Sequence, residues 1–215
     1  MSINALIVPS DKKQHWEKIY ESKQPDQVSW TQTFPEKSLK LIDELGLHKS
    51  APIIDIGGGD SNFVDHLIDR GFENISVLDI SEKALERVKK RLGQAAIKVE
   101  WIISDINEFR PTKSYELWHD RAVFHFLTEP KDIQNYIRLA QKYVSHHIIL
   151  ATFSKQGPTK CSGLNITQYD HLKMANTFAP VFKETDHYYS DHITPFGTTQ
   201  NFLFSQFIKA GSPTD

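Results

Sequence analysis

An apolar run that ends in a glycine cluster constrains this chain more than any other feature. Residues 53–56 read Ile-Ile-Asp-Ile, Gly57, Gly58 and Gly59 follow, and a helical pattern begins just beyond them. This order predicts a buried strand, a tight turn and the N-terminus of a helix. Because glycines permit positive φ angles and let a ligand lie against backbone N–H groups, the turn predicts a cofactor site.

The acids around this turn indicate which cofactor it binds. A dinucleotide fingerprint needs a third glycine where this chain has Asn62. Asp55 and Asp60 flank the glycines, and a second apolar run ends at Asp79, 20 residues after Gly59. Carboxylates would repel a pyrophosphate but suit a ligand with a sulfonium and an ammonium group, and a strand-ending acid can accept hydrogen bonds from ribose hydroxyls. The charges favour S-adenosylmethionine.

Three motifs resemble those of the class I S-adenosylmethionine-dependent methyltransferases. Asp55-x-Gly57-x-Gly59-x-Ser61 resembles the first motif of that family, with serine in place of its last glycine. Val77-Leu78-Asp79-Ile80 resembles the second, whose acid binds ribose and whose next residue packs on adenine, and Ser104-Asp105-Ile106 resembles the third, whose acid accepts from the adenine amino group. The resemblance implies cofactor contacts by Asp55, Gly57, Gly58, Gly59, Ser61, Asp79, Ile80, Asp105 and Ile106.

Further marks resemble a bacterial subgroup of small methyltransferases. They are Trp16-x-x-x-Tyr20, Val28-Ser29-Trp30, residues 118–126 and residues 160–164. More distantly, the aromatic N-terminal helix is similar to that of protein-lysine methyltransferases such as the mitochondrial enzyme that acts on citrate synthase. These resemblances imply a fold and a cofactor but no substrate.

The apolar and helical patterns alternate, which predicts an α/β fold. Strands are expected at 74–79, 98–104, 114–119 and 147–153, followed by a helix from Thr167 and a final antiparallel pair near 181–190 and 199–208. We predict a doubly wound, seven-stranded, mostly parallel sheet with an antiparallel last strand, a Rossmann-like methyltransferase fold. Such a sheet brings Asp55, Asp79, Asp105 and His119 to one edge.

We predict a single methyltransferase domain over residues 1–215, in which residues 1–48 form an N-terminal helical lid. Trp16 and Tyr20 recur at helical spacing, and two interpretations stay open: the helix docks on the domain, or Tyr20 and Trp30 close over the cofactor, because aromatic faces attract a sulfonium cation. Thr33 and Glu36 match a capping box that opens the next helix.

Composition limits the partners. A net charge of −2 creates no field that would gather nucleic acid, and no apolar run approaches the roughly 20 residues of a membrane span. Residues 5–8 are too short for a signal h-region, and one cysteine fits a reducing compartment, so we expect a cytoplasmic protein.

The ten histidines show no ligand spacing with cysteines, so we predict no metal. The oligomeric state stays open.

His119 and Asp120 are the candidate catalytic residues. Methyl transfer from a sulfonium is an in-line displacement in which the cofactor supplies the electrophile, so a base is needed only for a protonated acceptor. His119 and Asp120 end the fourth strand beside the expected methyl position. As alternatives, His119 orients the methionine part of the cofactor, which we favour, or Asp120 pairs with Arg121.

Other reactive side chains have no assigned role. His125 lies among apolar residues and is expected to be a hydrogen-bonded core histidine more often than a functional one. His187 and His192 could reach the pocket, but nothing fixes where they point. Cys161 is expected to have a packing or loop role.

The motifs together predict a methyltransferase that transfers a methyl group to a small-molecule or protein acceptor. Two other functions stay open: a nicotinamide-dependent oxidoreductase, which Asn62 and Asp55 argue against, and a module that binds S-adenosylmethionine without catalysis.

Overall fold

The computed structural model describes residues 9–211 of the chain. Its helices are α1 (Pro9–Ser22), α2 (Glu36–Leu45), α3 (Phe63–Asp69), α4 (Glu82–Leu92), α5 (Pro130–Tyr143) and α6 (His171–Phe178). Its strands are β1 (Ile53–Ile56), β2 (Ile75–Asp79), β3 (Val99–Ile103), β4 (Tyr115–Arg121), β5 (Val144–Phe153), β6 (Lys160–Cys161), β7 (Leu164–Asn165), β8 (Phe182–Ile193) and β9 (Thr199–Lys209). Short 3₁₀ turns lie at Pro25–Gln27, Gly93–Lys98 and Phe124–Phe126.

Seven of these strands form one sheet in the order β3-β2-β1-β4-β5-β9-β8. The pairs among β1 to β5 are parallel, and β9 runs antiparallel to both β5 and β8. The predicted fold class, a mostly parallel seven-stranded sheet with an antiparallel last strand, is confirmed. The β6–β7 hairpin is separate from this sheet and was not predicted.

Helices cover both faces of the sheet, which is why β1 is apolar on both sides. Ile53 faces the cluster that includes side chains of α2, α3 and α4, whereas Ile54 and Ile56 face the cluster that includes side chains of α5 and α6. All three isoleucines are fully buried. A central parallel strand enclosed in this way must be a continuous apolar run, and Asp55 is the exception that the site explains.

Three predicted element starts are wrong. The capping box is absent, because α2 begins at Glu36 with Pro35 before it and Thr33 lies outside the helix. Strand β5 begins at Val144, directly after α5, rather than at 147. Helix α6 begins at His171 rather than Thr167, because the Asp170 carboxylate accepts the Lys173 N–H at 2.8 Å and caps it there.

Within residues 9–211, no helix is long and apolar enough to cross a membrane. Residues 1–8 lie outside the described part of the chain. They are the first eight residues of the predicted lid, and they include residues 5–8, on which the expected lack of a signal segment depends.

Candidate active site

The glycine turn and Asp79 form one hydrogen-bonded unit. Gly57 and Gly58 donate their N–H groups to the Leu78 carbonyl at 2.7 and 3.1 Å, which ties the turn to the end of β2. The Asp79 carboxylate accepts the Gly59 N–H and the Ser81 N–H, both at 2.8 Å. Gly59 has φ +54°, and a side chain there would collide with the hydroxyl of Tyr20. Only glycine suits this position.

Burial determines the protonation of Asp79. Its side chain is nearly enclosed, which raises the pKa of the carboxyl to about 7, and the nearby Asp55 and Asp60 raise it as well. The two N–H donors pull the pKa down but only partly offset burial. A carboxylate offers about four lone-pair positions, so Asp79 retains acceptor capacity for hydroxyl groups.

Asp55 is held by His119. The register of β1 and β4 places these two residues opposite each other, and His119 Nδ1 lies 2.7 Å from Asp55 Oδ1. The other ring nitrogen, Nε2, lies 2.9 Å from Ser38 Oγ of α2, and the ring stacks on Phe63 at 4.1 Å between centroids. Both ring nitrogens are therefore engaged. Ser38 was not predicted, because a serine on the buried face of a helix carries no chemical signal in the sequence.

Asp120 is enclosed beside the site and is not on the cavity wall. Its carboxylate accepts the Val123 N–H at 2.9 Å, the Phe124 N–H at 3.2 Å and the Tyr136 hydroxyl at 2.7 Å. Burial raises its pKa to about 6. The alternative in which Asp120 pairs with Arg121 is not observed, because Arg121 Nη2 donates to the Trp30 carbonyl at 2.9 Å.

A cavity of about 1180 Å³ opens at this edge of the sheet. Most of the residues that sequence reasoning singled out lie on its wall: Tyr20, Trp30, Asp55, Gly57, Gly58, Ser61, Asp79, Ile80, Asp105, Ile106 and His119. Gly59 lies behind the wall, where its N–H supports Asp79. Residues that are far apart in the chain therefore line one cavity.

Four aromatic rings, Trp16, Tyr20, Trp30 and Phe126, form an aromatic cluster on the cavity wall. Trp16 meets Phe126 edge to face at 5.4 Å and Trp30 at 5.8 Å between centroids. Tyr20 meets Trp30 at 6.4 Å. The N-terminal segment thus forms part of the wall opposite the sheet.

Helix α1 is fastened to the start of α4 by Glu17. Its carboxylate accepts the Ser81 hydroxyl at 3.0 Å, the Glu82 N–H at 2.8 Å and the Lys83 N–H at 3.3 Å. The first N–H groups of a helix have no partner within it, and its N-terminus favours negative charge. Glu17 meets both needs from another helix, and no local sequence signal marks this long-range cap.

Arg121, Cys161 and His192 also lie on the cavity wall. Burial lowers the pKa of Arg121 to about 10, so the guanidinium remains charged at neutral pH. Burial raises the pKa of the Cys161 thiol to about 11, which keeps it protonated. His192 Nε2 lies 2.6 Å from the Ser29 carbonyl and joins the C-terminal hairpin to the N-terminal segment.

His125 lies in the core. Its Nδ1 accepts the Phe153 N–H at 3.2 Å, and burial lowers its pKa to about 3, so the ring is neutral. This geometry agrees with a hydrogen-bonded core histidine.

Comparison with known proteins supports the resemblance that the sequence motifs show. Residues 53–146 match a family model described as a methyltransferase domain. The malonyl-[acyl-carrier protein] O-methyltransferase 2 of Ilyobacter polytropus is 28% identical over 121 residues, which cover 54% of this chain and 46% of that protein. These similarities support the resemblance of this chain to the class I S-adenosylmethionine-dependent methyltransferases.

A further relative and a solved structure are also similar to this chain. The trans-aconitate 2-methyltransferase of Rhizobium etli is 31% identical over 94 residues, which cover 43% of this chain and 35% of that protein. The structure of Burkholderia thailandensis 1,6-didemethyltoxoflavin-N1-methyltransferase, with bound 1,6-didemethyltoxoflavin and S-adenosylhomocysteine, superposes with a TM-score of 0.70 at 14% identity over 97% of this chain and 92% of that one. The matched regions span about half or less of the curated relatives' length.

Proposed function

We propose that this chain transfers the methyl group of S-adenosylmethionine to a small-molecule acceptor. The observation that carries the proposal is the Asp79 carboxyl, held by the N–H groups of Gly59 and Ser81 on the wall of a cavity of about 1180 Å³. Ligand pockets for one drug-sized molecule commonly measure about 300–1,000 Å³. The cavity therefore has room for a cofactor and a small acceptor together.

Each part of such a cofactor has a candidate binding residue on the cavity wall. Asp79 would accept from the ribose hydroxyls, Ile80 would pack on adenine, and Asp105 would accept from the adenine amino group. Asp55, held by His119, would face the methionine ammonium group. When bound, the cofactor supplies the electrophilic methyl group.

The aromatic cluster would serve the same reaction. Its rings exclude water from the cavity, and their faces attract a sulfonium cation. The described part of residues 1–48 supplies three of the four rings, which supports the proposal that this segment acts as a lid on a single domain formed by the chain.

The contacts of His119 and Asp120 favour positioning over proton transfer. The imidazole nitrogens of His119 are engaged by Asp55 and Ser38, and the Asp120 carboxylate is satisfied inside the core. An acceptor that arrives already ionised needs no base, and a carboxylate is ionised at neutral pH. We therefore propose a carboxylate as the acceptor group.

Arg121 supports an acidic acceptor. Among the residues that the structure describes, its guanidinium makes one hydrogen bond, to the Trp30 carbonyl, although the group offers five N–H donors. A planar guanidinium on a cavity wall suits bidentate binding of a carboxylate. The malonyl and aconitate groups in the names of the two curated relatives are carboxylic acids, which agrees with this assignment.

The cofactor is tested by thermal shift and calorimetry with S-adenosylmethionine and S-adenosylhomocysteine. Both should stabilise the protein, and Asp79→Ala should weaken binding by about ten- to hundredfold, because charge-assisted hydrogen bonds are lost. Asp69→Ala, an exposed aspartate at the end of α3, is the matched control. Failure of both ligands to bind, together with tight binding of NADH, would favour the oxidoreductase instead.

The acceptor is tested with a radiolabelled methyl donor. We expect label in trans-aconitate or a malonyl thioester, with a raised KM for the acid in Arg121→Gln and unchanged affinity for S-adenosylhomocysteine. Label in a protein band from cell extract would instead indicate a protein acceptor. Binding of the cofactor with no labelled product in either assay would indicate a non-catalytic module.

We also propose a cytoplasmic location. Its support is Cys161, the chain's single cysteine, which is buried as a free thiol and suits a reducing compartment. Cell fractionation tests it.

A further inference from the structure

Three potential metal ligands meet on the side of the sheet that α6 covers. His171 is the first residue of α6, and Glu184 and His187 belong to β8. One potential ligand atom from each of the three lies within 4.8 Å of the others. None of these residues is on the wall of the cofactor cavity, so they form a group separate from the proposed active site.

A β-bulge brings Glu184 and His187 to the same face of β8. In a regular strand, residues three apart point to opposite faces. Here the register shifts between Glu184 and Asp186, so that Glu184 pairs with Phe207 and His187 pairs with Ser205 on β9. Because Phe207 and Ser205 are two residues apart on β9, their partners Glu184 and His187 share a face of the sheet. An extra residue in a strand changes the face to which the following side chains point.

Helix α6 lies on that face and completes the group. Phe207 contacts Phe178 of α6 at 4.9 Å between ring centroids, so the shared face is the one under the helix. The Asp170 cap fixes the start of α6, and the His171 N–H donates to the Tyr189 hydroxyl of β8 at 3.3 Å. The fold therefore positions the His171 side chain over β8.

The contacts within this group leave ligand capacity unused. His187 Nδ1 lies 3.5 Å from Glu184 Oε2, at the limit of a hydrogen bond, whereas Glu184 Oε1 is buried without a hydrogen-bond partner among the described residues. The imidazoles of His171 and His187 stack with centroids 4.2 Å apart and planes 4° apart. A buried carboxylate oxygen without a donor is costly, and a cation would satisfy it.

We propose that His171, Glu184 and His187 bind a divalent transition metal, with Zn²⁺ as the preferred ion. Two imidazole nitrogens and one carboxylate oxygen are a ligand set that zinc uses when a water molecule completes the tetrahedron. At Zn–N distances of about 2.0–2.1 Å, the ligand atoms must approach one another, and the parallel rings must rotate so that their lone pairs converge. The three side chains are part-exposed, which leaves room for that rotation and for the water.

The bound ion would join α6 to β8 and stabilise the fold. The ligands come from two elements that meet only in the folded chain, so the binding free energy favours folding. The spacing of the histidines along the sequence predicted no metal. That spacing does not indicate a β-bulge, nor that the start of a helix lies against a strand.

The test is zinc binding to the full chain without an affinity tag. Competition with a chromophoric zinc chelator should show one site with a micromolar or tighter dissociation constant. His187→Ala should weaken that affinity by at least about tenfold, and Glu184→Gln should weaken it as well. Zinc at about 100 times its dissociation constant should raise the Tm by about 5–10 °C.

The adjacent histidines His146 and His147, whose rings are 5.8 Å apart at the start of β5, provide the matched control. Their double substitution by alanine should leave zinc affinity unchanged. Loss of binding in that variant, unchanged binding in His187→Ala, or no binding at millimolar zinc would each overturn the proposal. Zinc should not change the affinity for S-adenosylhomocysteine, which separates this site from the proposed methyl transfer.

Discussion

Asp79 shows how one residue balances burial against hydrogen bonding. Two N–H donors hold its carboxylate, yet burial and two neighbouring acids raise its pKa to about 7 from an ordinary value of 3.8. In the unliganded protein a proton therefore resides on Asp79 over much of the neutral range. Ribose hydroxyls and a cationic cofactor favour the ionised form.

Cofactor binding should therefore release a proton near pH 7. Calorimetric titration with S-adenosylhomocysteine in buffers of different ionisation enthalpy should give different apparent enthalpies, and affinity should rise with pH through about 7. In Asp79→Asn the buffer dependence should largely disappear. Equal enthalpies in all buffers for the unmodified chain would show that Asp79 does not change its protonation on binding.

The same pKa predicts how stability depends on pH. Because the folded pKa of Asp79 lies above its unfolded value, its contribution to the free energy of unfolding is fully present below about pH 4 and is lost as pH rises through about 7. Urea denaturation without cofactor should show Asp79→Asn gaining stability relative to the unmodified chain as pH rises over this window. A constant difference between the two proteins from pH 4 to 8 would contradict the assignment.

Asp120 is a structural residue by its contacts, and Tyr136 tests this. The Tyr136 hydroxyl accepts from Trp118 Nε1 at 2.8 Å and donates to Asp120. Tyr136→Phe should destabilise the fold by about 1–3 kcal/mol for each buried group left unpaired, measured by urea denaturation, without changing affinity for S-adenosylhomocysteine.

Tyr169→Phe is the control for that substitution. The Tyr169 hydroxyl is buried without a hydrogen-bond partner among the described residues, so its removal should be neutral or stabilising. A large loss of cofactor affinity in Tyr136→Phe alone would mean that the Asp120 network reaches the active site.

At the scale of elements, the junction of α1 with α4 decides whether the aromatic cluster stays in place. Glu17 caps α4 with three hydrogen bonds, and Arg87 of α4 donates to the carbonyls of Tyr20 and Lys23 beyond it. Trp16 and Tyr20 flank Glu17 on α1, so a loosened helix would withdraw two rings from the cavity wall.

Glu17→Ala should therefore expose α1 and weaken cofactor binding. We expect faster limited proteolysis within residues 9–22 and an S-adenosylhomocysteine affinity lower by about threefold to tenfold, which corresponds to the loss of a cap. Glu21→Ala is the control, because Glu21 lies on the same helix and makes an exposed ion pair with Lys83. Similar effects of both substitutions would argue against the capping role.

Sequence reasoning predicted the elements whose signals are local. Strand β1 and the glycine turn follow from an apolar run and from glycines within a few residues. The β6–β7 hairpin and the bulge in β8 were not predicted, because strand register depends on pairing with distant residues.

The same distinction holds for the site. Acids at strand ends could be placed on one edge from topology alone, which is how Asp55, Asp79 and Asp105 were found. The roles of Ser38 and Arg121 could not be predicted, because they depend on which side chain or carbonyl group faces each residue across the fold.

At the scale of the whole molecule, two segments that are far apart in the sequence meet over the cavity. The segment around Trp30 and the hairpin between β8 and β9 both lie on its wall, and His192 joins them through the Ser29 carbonyl at 2.6 Å. Gln32 Nε2 lies 3.4 Å from the other ring nitrogen of His192. The cavity is thus bounded by the sheet on one side and by these two segments on the other.

A ligand in this cavity should order both of these segments at once. Hydrogen–deuterium exchange with and without S-adenosylhomocysteine should show protection in residues 16–33 and 191–196 as well as at the glycine turn, because local opening of either segment would expose the bound ligand. In His192→Ala, protection should persist at the turn but decrease in both segments together. Protection confined to the ends of β1, β2 and β3 in the unmodified chain would show that the cofactor binds without engaging the two segments.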